Sequence, residues 1–247
     1  MRLLRLPGIH HDSSCVVISG DEASVVIDPG TSWYQLNVRE RIEAALDEMP
    51  AVSAVLLTHR HFDTAGAAKH LAENWNVPVR IHPAGTGALE GGDMLTTWAS
   101  RFNSDMPVTE VIPLEESERF DLGGVTITAL HLPGHTSDSV GYWIAERGVL
   151  IAGDLLPKLG HPARWDLPTG CLPDLHTSVE AVLELNLESI VCGHGESLQG
   201  EVQVRTELER HRDFLTECME GNGVRPAGWP RPHPTCNWLT PEPEWPQ

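Results

Sequence analysis

Short apolar runs recur along the chain, each bounded by Gly, Pro, Asp or Ser. CVVISG (15–20) and SVVIDPG (24–30) lie close together and predict a hairpin across GDEA. Residues 37–49 place Val38, Ile42, Ala45, Leu46 and Met49 at helical spacing. AVSAVLLT (51–58) is nearly continuous, the signature of a strand buried on both faces. A helix is expected over 64–76, a strand at VPVRIHP (77–83), and a helix plus loop over 84–110.

The second half repeats the theme. GVTITALHLPGH (124–135) alternates and stops at Pro-Gly, and SVGYWIAERGVLIAGD (139–154) reads as two strands joined near Glu146–Gly148. A helix over 174–187 and a strand at ESIVCGHG (188–195) follow. Residues 201–219 put Val204, Leu208, His211, Leu215 and Cys218 on one face, predicting an amphipathic helix. The segment 221–247 is rich in Pro and Trp and fits neither a regular helix nor a central strand. It is expected to lie as an extended arm on a single domain formed by residues 1–220. Strands and helices in alternation argue α/β, and the hairpins argue for two mixed sheets covered by helices, not an all-parallel barrel.

Composition narrows the partners. The formal net charge is −18, with only Lys69 and Lys158 as lysines and no basic run. Polyanion binding needs clustered cations, so nucleic acid and anionic membrane surfaces are excluded as expected partners. The five cysteines, Cys15, Cys171, Cys192, Cys218 and Cys236, show no CxxC spacing and read as reduced thiols in a cytoplasmic protein. No stretch is long and apolar enough for a signal peptide or a membrane span.

The chemistry gathers where strands end. His59, Arg60, His61, Phe62 and Asp63 follow directly on the buried run, and residues two apart point to the same side. His59, His61 and Asp63 thus face one point, and two imidazoles with a carboxylate suit Zn²⁺, Fe or Mn. His135 in PGHT, Asp154 in AGD and His194 in CGHG each close a further predicted strand. Active sites on α/β scaffolds collect at strand ends in this way. His131 is expected to orient a neighbouring ligand and His82 to support the site. His70, His161, His176, His211 and His233 read as surface or packing residues, as do the eight tryptophans.

The ordered series HxHxD, PGHT, GD and GHG resembles the metallo-β-lactamase fold superfamily, and in particular its glyoxalase II-like hydrolases. The likeness runs from about Cys15 to about Leu198, with VVIDPGT similar to the family's first hairpin and WDLPTGCLPDLHTSVEAVLEL to its later loop and helix. It implies an αββα sandwich of two mixed sheets with a metal site at one edge. It implies further that His59, His61 and His135 bind a first metal, that Asp154 bridges, and that Asp63 and His194 bind a second. The family has a histidine directly after the aspartate, where this chain has Thr64. A hydroxyl is a poor zinc ligand, so one Zn²⁺ is expected to bind tightly and the second site to be weakened; His11 or Asp12, in the loop before the first hairpin, either approaches that metal or the substrate or forms an exposed turn. The implied reaction is attack of a metal-bound hydroxide on an acyl carbon of a small ester, thioester, lactone or lactam, with Asp63 as catalytic carboxylate. Alternatives are an iron-dependent oxidoreductase in the same pocket and a nuclease, the latter disfavoured by the acidic charge.

Overall fold

The computed structural model describes residues 1–47 and 49–230. Each strand has two apolar faces to bury, and the fold satisfies this with two six-stranded sheets. The first contains β1 (Arg2–Leu6), β2 (Cys15–Ser19), β3 (Ser24–Ile27), β4 (Val52–Leu56), β5 (Val79–Ile81) and β6 (Ile112–Pro113), side by side in chain order. β1 to β3 are antiparallel, with Val16 opposite Ile27 and Ile18 opposite Val25, and β3 to β6 are parallel. The second contains β7 (Arg119–Asp121), β8 (Thr126–His131), β9 (Val140–Ile144), β10 (Val149–Gly153), β11 (Ser189–Cys192) and β12 (Leu198–Gln199), also in chain order. Its one parallel pair is β10 with β11.

The period-2 alternation of the strands sorts their side chains into layers. Val16, Ile18, Val25, Ile27, Ala54 and Leu56 meet Ile127, Ala129, Tyr142, Ile151 and Val191 in one apolar layer between the sheets. The intervening residues face outward: Val17, Val26 and Val55 pack with Val38, Ile42 and Leu71, while Leu150, Ala152 and Ile190 pack with Val179, Val204 and Leu208. The helices that supply these faces are α1 (Gln35–Ala45), α3 (Ala68–Trp75), α5 (Leu172–Leu183) and α6 (Glu201–Glu220). Helix, sheet, sheet and helix form the expected αββα sandwich.

Several expectations shift by a few residues for local reasons. The helix foreseen over 64–76 is two pieces, α2 (Phe62–Ala65) and α3. Gly30 N–H takes the Thr64 carbonyl at 3.0 Å and Gly30 carbonyl takes Ala67 N–H at 2.8 Å, which breaks the helical ladder. The helix expected over 37–49 is shorter, and that expected over 174–187 begins earlier, at Leu172, with Pro173 in its first turn where proline is tolerated. The region 84–110 holds α4 (Pro83–Glu90), a short 3-10 turn at Ala99–Phe102, and loop. The edge strands β1, β6, β7 and β12 had no clear apolar alternation to announce them.

Beyond α6, the Trp229 ring packs 5.1 Å from Phe214, with Arg210 stacked on it at 5.5 Å. The rest of the expected arm, with His233, Cys236, Trp238 and Trp245, lies outside the described residues. The four described cysteines are free thiols. Among the described residues no helix is long and apolar enough to cross a membrane.

Tyr142 is wholly buried between the sheets, and its hydroxyl donates to the Leu57 carbonyl at 2.9 Å. Tyr142→Phe leaves that carbonyl unpartnered in a dry layer. The expected loss is about 1 kcal/mol of stability, read from the midpoint of urea unfolding with an unchanged slope. No shift in midpoint would show that this bond adds nothing across the layer.

Candidate metal centre

Four strand ends from both sheets deliver the site. His59 and His61 follow β4, His135 follows β8 by way of a Pro-Gly turn, Asp154 follows β10 and His194 follows β11. Glycines permit the approach. A Cβ on Gly193 would lie 2.1 Å from Asp154 Oδ1, and one on Gly134, at φ +133°, would meet the Leu175 backbone at 2.2 Å.

The three histidines converge. His59 Nε2 lies 3.1 Å from His61 Nδ1, and His135 Nε2 lies 3.0 Å from the same atom. All three are buried and could hold one metal ion. Their outer nitrogens settle the tautomers of two rings. His135 Nδ1 faces the Arg164 carbonyl at 2.9 Å, and a carbonyl can only accept, so Nδ1 carries the proton and Nε2 a lone pair. Thr58 Oγ1 donates to Asp28 Oδ2 at 2.7 Å, which leaves it to accept from His59 Nδ1 at 3.0 Å, again freeing Nε2. Burial first, then the neighbouring imidazoles, lowers the His59 pKa to about 3 and holds His61 well below its ordinary value. Neutral rings with lone pairs aimed at one point are what a metal requires.

Beside the triad lie Asp154, Asp63 and His194. Asp154 Oδ2 is 3.5 Å from His135 Nε2, and Asp154 Oδ1 is 3.5 Å from His194 Nε2. His194 Nε2 is also 3.3 Å from Asp63 Oδ2. Asp154 therefore faces both groups. Burial alone would lower the His194 pKa, but the two carboxylates together outweigh it and raise it well above its ordinary value. Asp63 Oδ1 is buried without a hydrogen-bond partner, and Asp63 Oδ2 and Asp154 Oδ1 face only His194 Nε2. Such atoms are costly in a dry site unless a cation compensates them, so the donor set fits a metal.

All six residues singled out from the sequence thus come together. Thr64 is buried with its hydroxyl unpartnered. Asp12 is buried next to this region, and His11 is partly exposed. His131 does not orient a ligand: it stacks on His82 at 3.8 Å and pairs with the Ser137 carbonyl, facing away from the triad. His82 caps α4 by accepting from Ala84 N–H. Of the remaining histidines, His211 packs in the interior beside Glu207 at 3.0 Å, as one of the two roles expected for it.

Sequence reasoning missed the residues that hold the ligands. Asp28, at φ +54°, accepts from both Thr58 N–H (2.8 Å) and the Thr58 hydroxyl. Arg60 points away from its histidine neighbours and pairs with buried Asp138 at 2.8 Å, fastening the β4 loop to the loop of His135. A charged residue closing an apolar run, as in VVIDPG, was the available signal for Asp28.

This chain belongs to the metallo-beta-lactamase superfamily, whose sequence profile matches residues 9–194. Its relatives include a probable metallo-hydrolase of Methanocaldococcus jannaschii, 32% identical over 199 residues, 78% of this chain and 93% of that one. A protein of Haemophilus influenzae named hydroxyacylglutathione hydrolase is 31% identical over 206 residues, 79% of this chain and 91% of that one. Among solved structures, TTHA1623 in a di-iron-bound form superposes with a TM-score of 0.68 at 29% identity, over 83% of this chain and 98% of that one.

Two substitutions test this geometry. His135→Ala removes one of three nitrogens and is expected to abolish tight metal uptake, measured by plasma emission after dialysis. Full metal content in that variant would remove His135 from the ligand set. Thr58→Val cuts the link from Asp28 to His59, and the expected loss is about 10- to 100-fold in metal affinity by chelator competition. An unchanged affinity would mean that His59 is oriented by packing alone.

Proposed function

We propose that this chain is a metal-dependent hydrolase acting on the acyl carbon of a small substrate, with a thioester or ester as the preferred class. The observation that carries this reading is the convergence of His59, His61 and His135, buried, neutral and lone-pair-first on one point. A metal held there supplies Lewis acidity toward an acyl oxygen and lowers the pKa of water toward about 7. The donor set of three imidazoles supports zinc at this position.

The chain's own residues account for the rest. His59 and His135 keep their acceptor nitrogens inward through the Thr58 hydroxyl and the Arg164 carbonyl. Asp154 supplies a negative charge against His135 and His194. Asp63 is buried, its Oδ2 faces His194 Nε2 at 3.3 Å while its Oδ1 has no hydrogen bond, and burial raises its pKa, so it suits the orientation of water and acceptance of its proton. The name of the Haemophilus influenzae relative supports thioesters over lactams. The acidic charge supports a small substrate over nucleic acid, and the free thiols support a cytoplasmic setting.

A second reading, an iron-dependent oxidoreductase, is favoured by the di-iron form of a structural relative. Elemental analysis of the purified protein, paired with a panel of thioester, lactone and β-lactam substrates for the zinc- and iron-loaded forms, separates the two. Thioester turnover by the zinc form is the expected result. Turnover by neither form would sink the hydrolase reading, and oxygen consumption by the iron form alone would replace it. Asp63→Asn keeps shape but removes the base, and kcat should fall about 10²- to 10⁴-fold while the zinc content stays near one per chain. Unchanged kcat would free Asp63 of that role.

A further inference from the structure

The second position of the centre is short of one imidazole, because Thr64 stands where the family pattern has histidine. The surroundings of Thr64 offer a different donor. Gly30 N–H bonds the Thr64 carbonyl at 3.0 Å, and Gly30 itself, at φ +89°, lies flat under the Asp12 carboxylate. A Cβ on Gly30 would sit 2.7 Å from both Asp12 Cγ and Asp12 Oδ2, so only glycine lets the carboxylate settle there. The next two residues are stitched to the other second-position groups. Ser13 N–H bonds the Asp63 carbonyl at 2.9 Å, and Ser14 N–H bonds the carbonyl of Gly193, the neighbour of His194, at 2.6 Å. Asp12 is therefore held between the backbones that carry Asp63, Thr64 and His194.

Its two oxygens differ. Oδ1 accepts from Thr31 N–H at 3.0 Å, while Oδ2 is buried and has no hydrogen-bond partner. The side chain is only 5% exposed. Asp12 Oδ2 thus joins Asp63 Oδ1 as a buried carboxylate oxygen with no hydrogen bond, while Asp63 Oδ2 and Asp154 Oδ1 share the single His194 Nε2. One imidazole cannot serve three buried carboxylates, so the oxygens it leaves over call for a further cation.

We propose that Asp12 replaces the absent imidazole and makes the second position a carboxylate-rich site for a hard divalent ion such as Mn²⁺, beside zinc on the histidine triad. The inference rests on the reading of this centre as a metal site, not on the acyl substrate. Ligand chemistry sets the preference: three imidazoles suit zinc, whereas Asp12, Asp63 and Asp154 with one imidazole shift selection toward oxygen-loving ions. The two positions then differ in chemistry as well as in strength.

The test is a titration of the full-length protein, loaded with one equivalent of zinc, with Mn²⁺ followed by the electron paramagnetic resonance of the free ion. The wild type is expected to take up one Mn²⁺ per chain. Asp12→Asn, which keeps size and loses the charge, should bind Mn²⁺ at least about tenfold more weakly while retaining its zinc and a native circular dichroism spectrum. Thr64→His leaves Asp12 in place and serves if that variant fails to fold: its zinc content should rise toward two per chain at the expense of Mn²⁺. The proposal is overturned by a wild type that takes up no Mn²⁺, by Asp12→Asn binding it as tightly, by loss of uptake in His11→Ala with Asp12→Asn unaffected, or by an unchanged metal preference in Thr64→His. Uptake of both metals as described, with no turnover of any acyl substrate, would support the proposal and overturn the hydrolase reading alone.

Discussion

Everything at the centre depends on the single apolar layer shared by the two sheets. His59, His61 and Asp63 come from the end of a strand in one sheet, and His135, Asp154 and His194 from strands in the other. Their atoms meet within a few ångströms only because Val25, Ile27, Ala54 and Leu56 interlock with Ile127, Tyr142, Ile151 and Val191 across the layer. Close packing makes such a layer stiff, so the relative position of the sheets becomes the relative position of the ligands. Val140 N–H bonding the Thr58 carbonyl at 2.7 Å, and the Tyr142 hydroxyl bonding Leu57, carry that alignment to the residues beside the histidines.

A second tier converts alignment into chemistry. Asp28 and Thr58 fix one imidazole, the Arg164 carbonyl fixes another, and the Arg60–Asp138 pair joins the two loops that hold them. Burial raises the Asp28 pKa to about 7, with the Thr58 hydrogen bonds acting against that rise, so this carboxylate is held by specific donors and not by solvent. A buried ion pair such as Arg60–Asp138 adds little net stability, and its contribution here is geometric. From Thr58 to His61 the chain therefore alternates between residues that face its supports, Thr58 and Arg60, and the histidines that face one another, following the two-residue period of an extended segment.

The centre is built asymmetrically. The triad is all nitrogen and neutral, whereas the adjoining position is rich in carboxylates and carries a hydroxyl in place of a ring at Thr64. The asymmetry lies in the donor atoms, not in the fold.

The sequence alone determined the layering and singled out the candidate ligands. The near-continuous apolar runs CVVIS, SVVI and AVSAVLL could be satisfied only by sheets buried on both faces, and the HxH spacing aimed His59 and His61 to one side. Local periodicity is a near-neighbour property, so it is legible in one dimension, but it reaches only His59 and His61: Asp63 lies in the short helix Phe62–Ala65 and meets His194 instead of the triad. The tertiary structure decided what depends on distant partners. Gly30 broke the helix after Thr64 because its backbone lay against that turn, and His131 turned away from the site because His82, some fifty residues earlier, offered a ring to stack on. Asp28 acquired its role only when Thr58 arrived from the next strand. Asp12 came to rest over Gly30, which bonds the Thr64 carbonyl, for the same reason: a side chain's partner is set by three-dimensional closeness, which no spacing along the chain encodes.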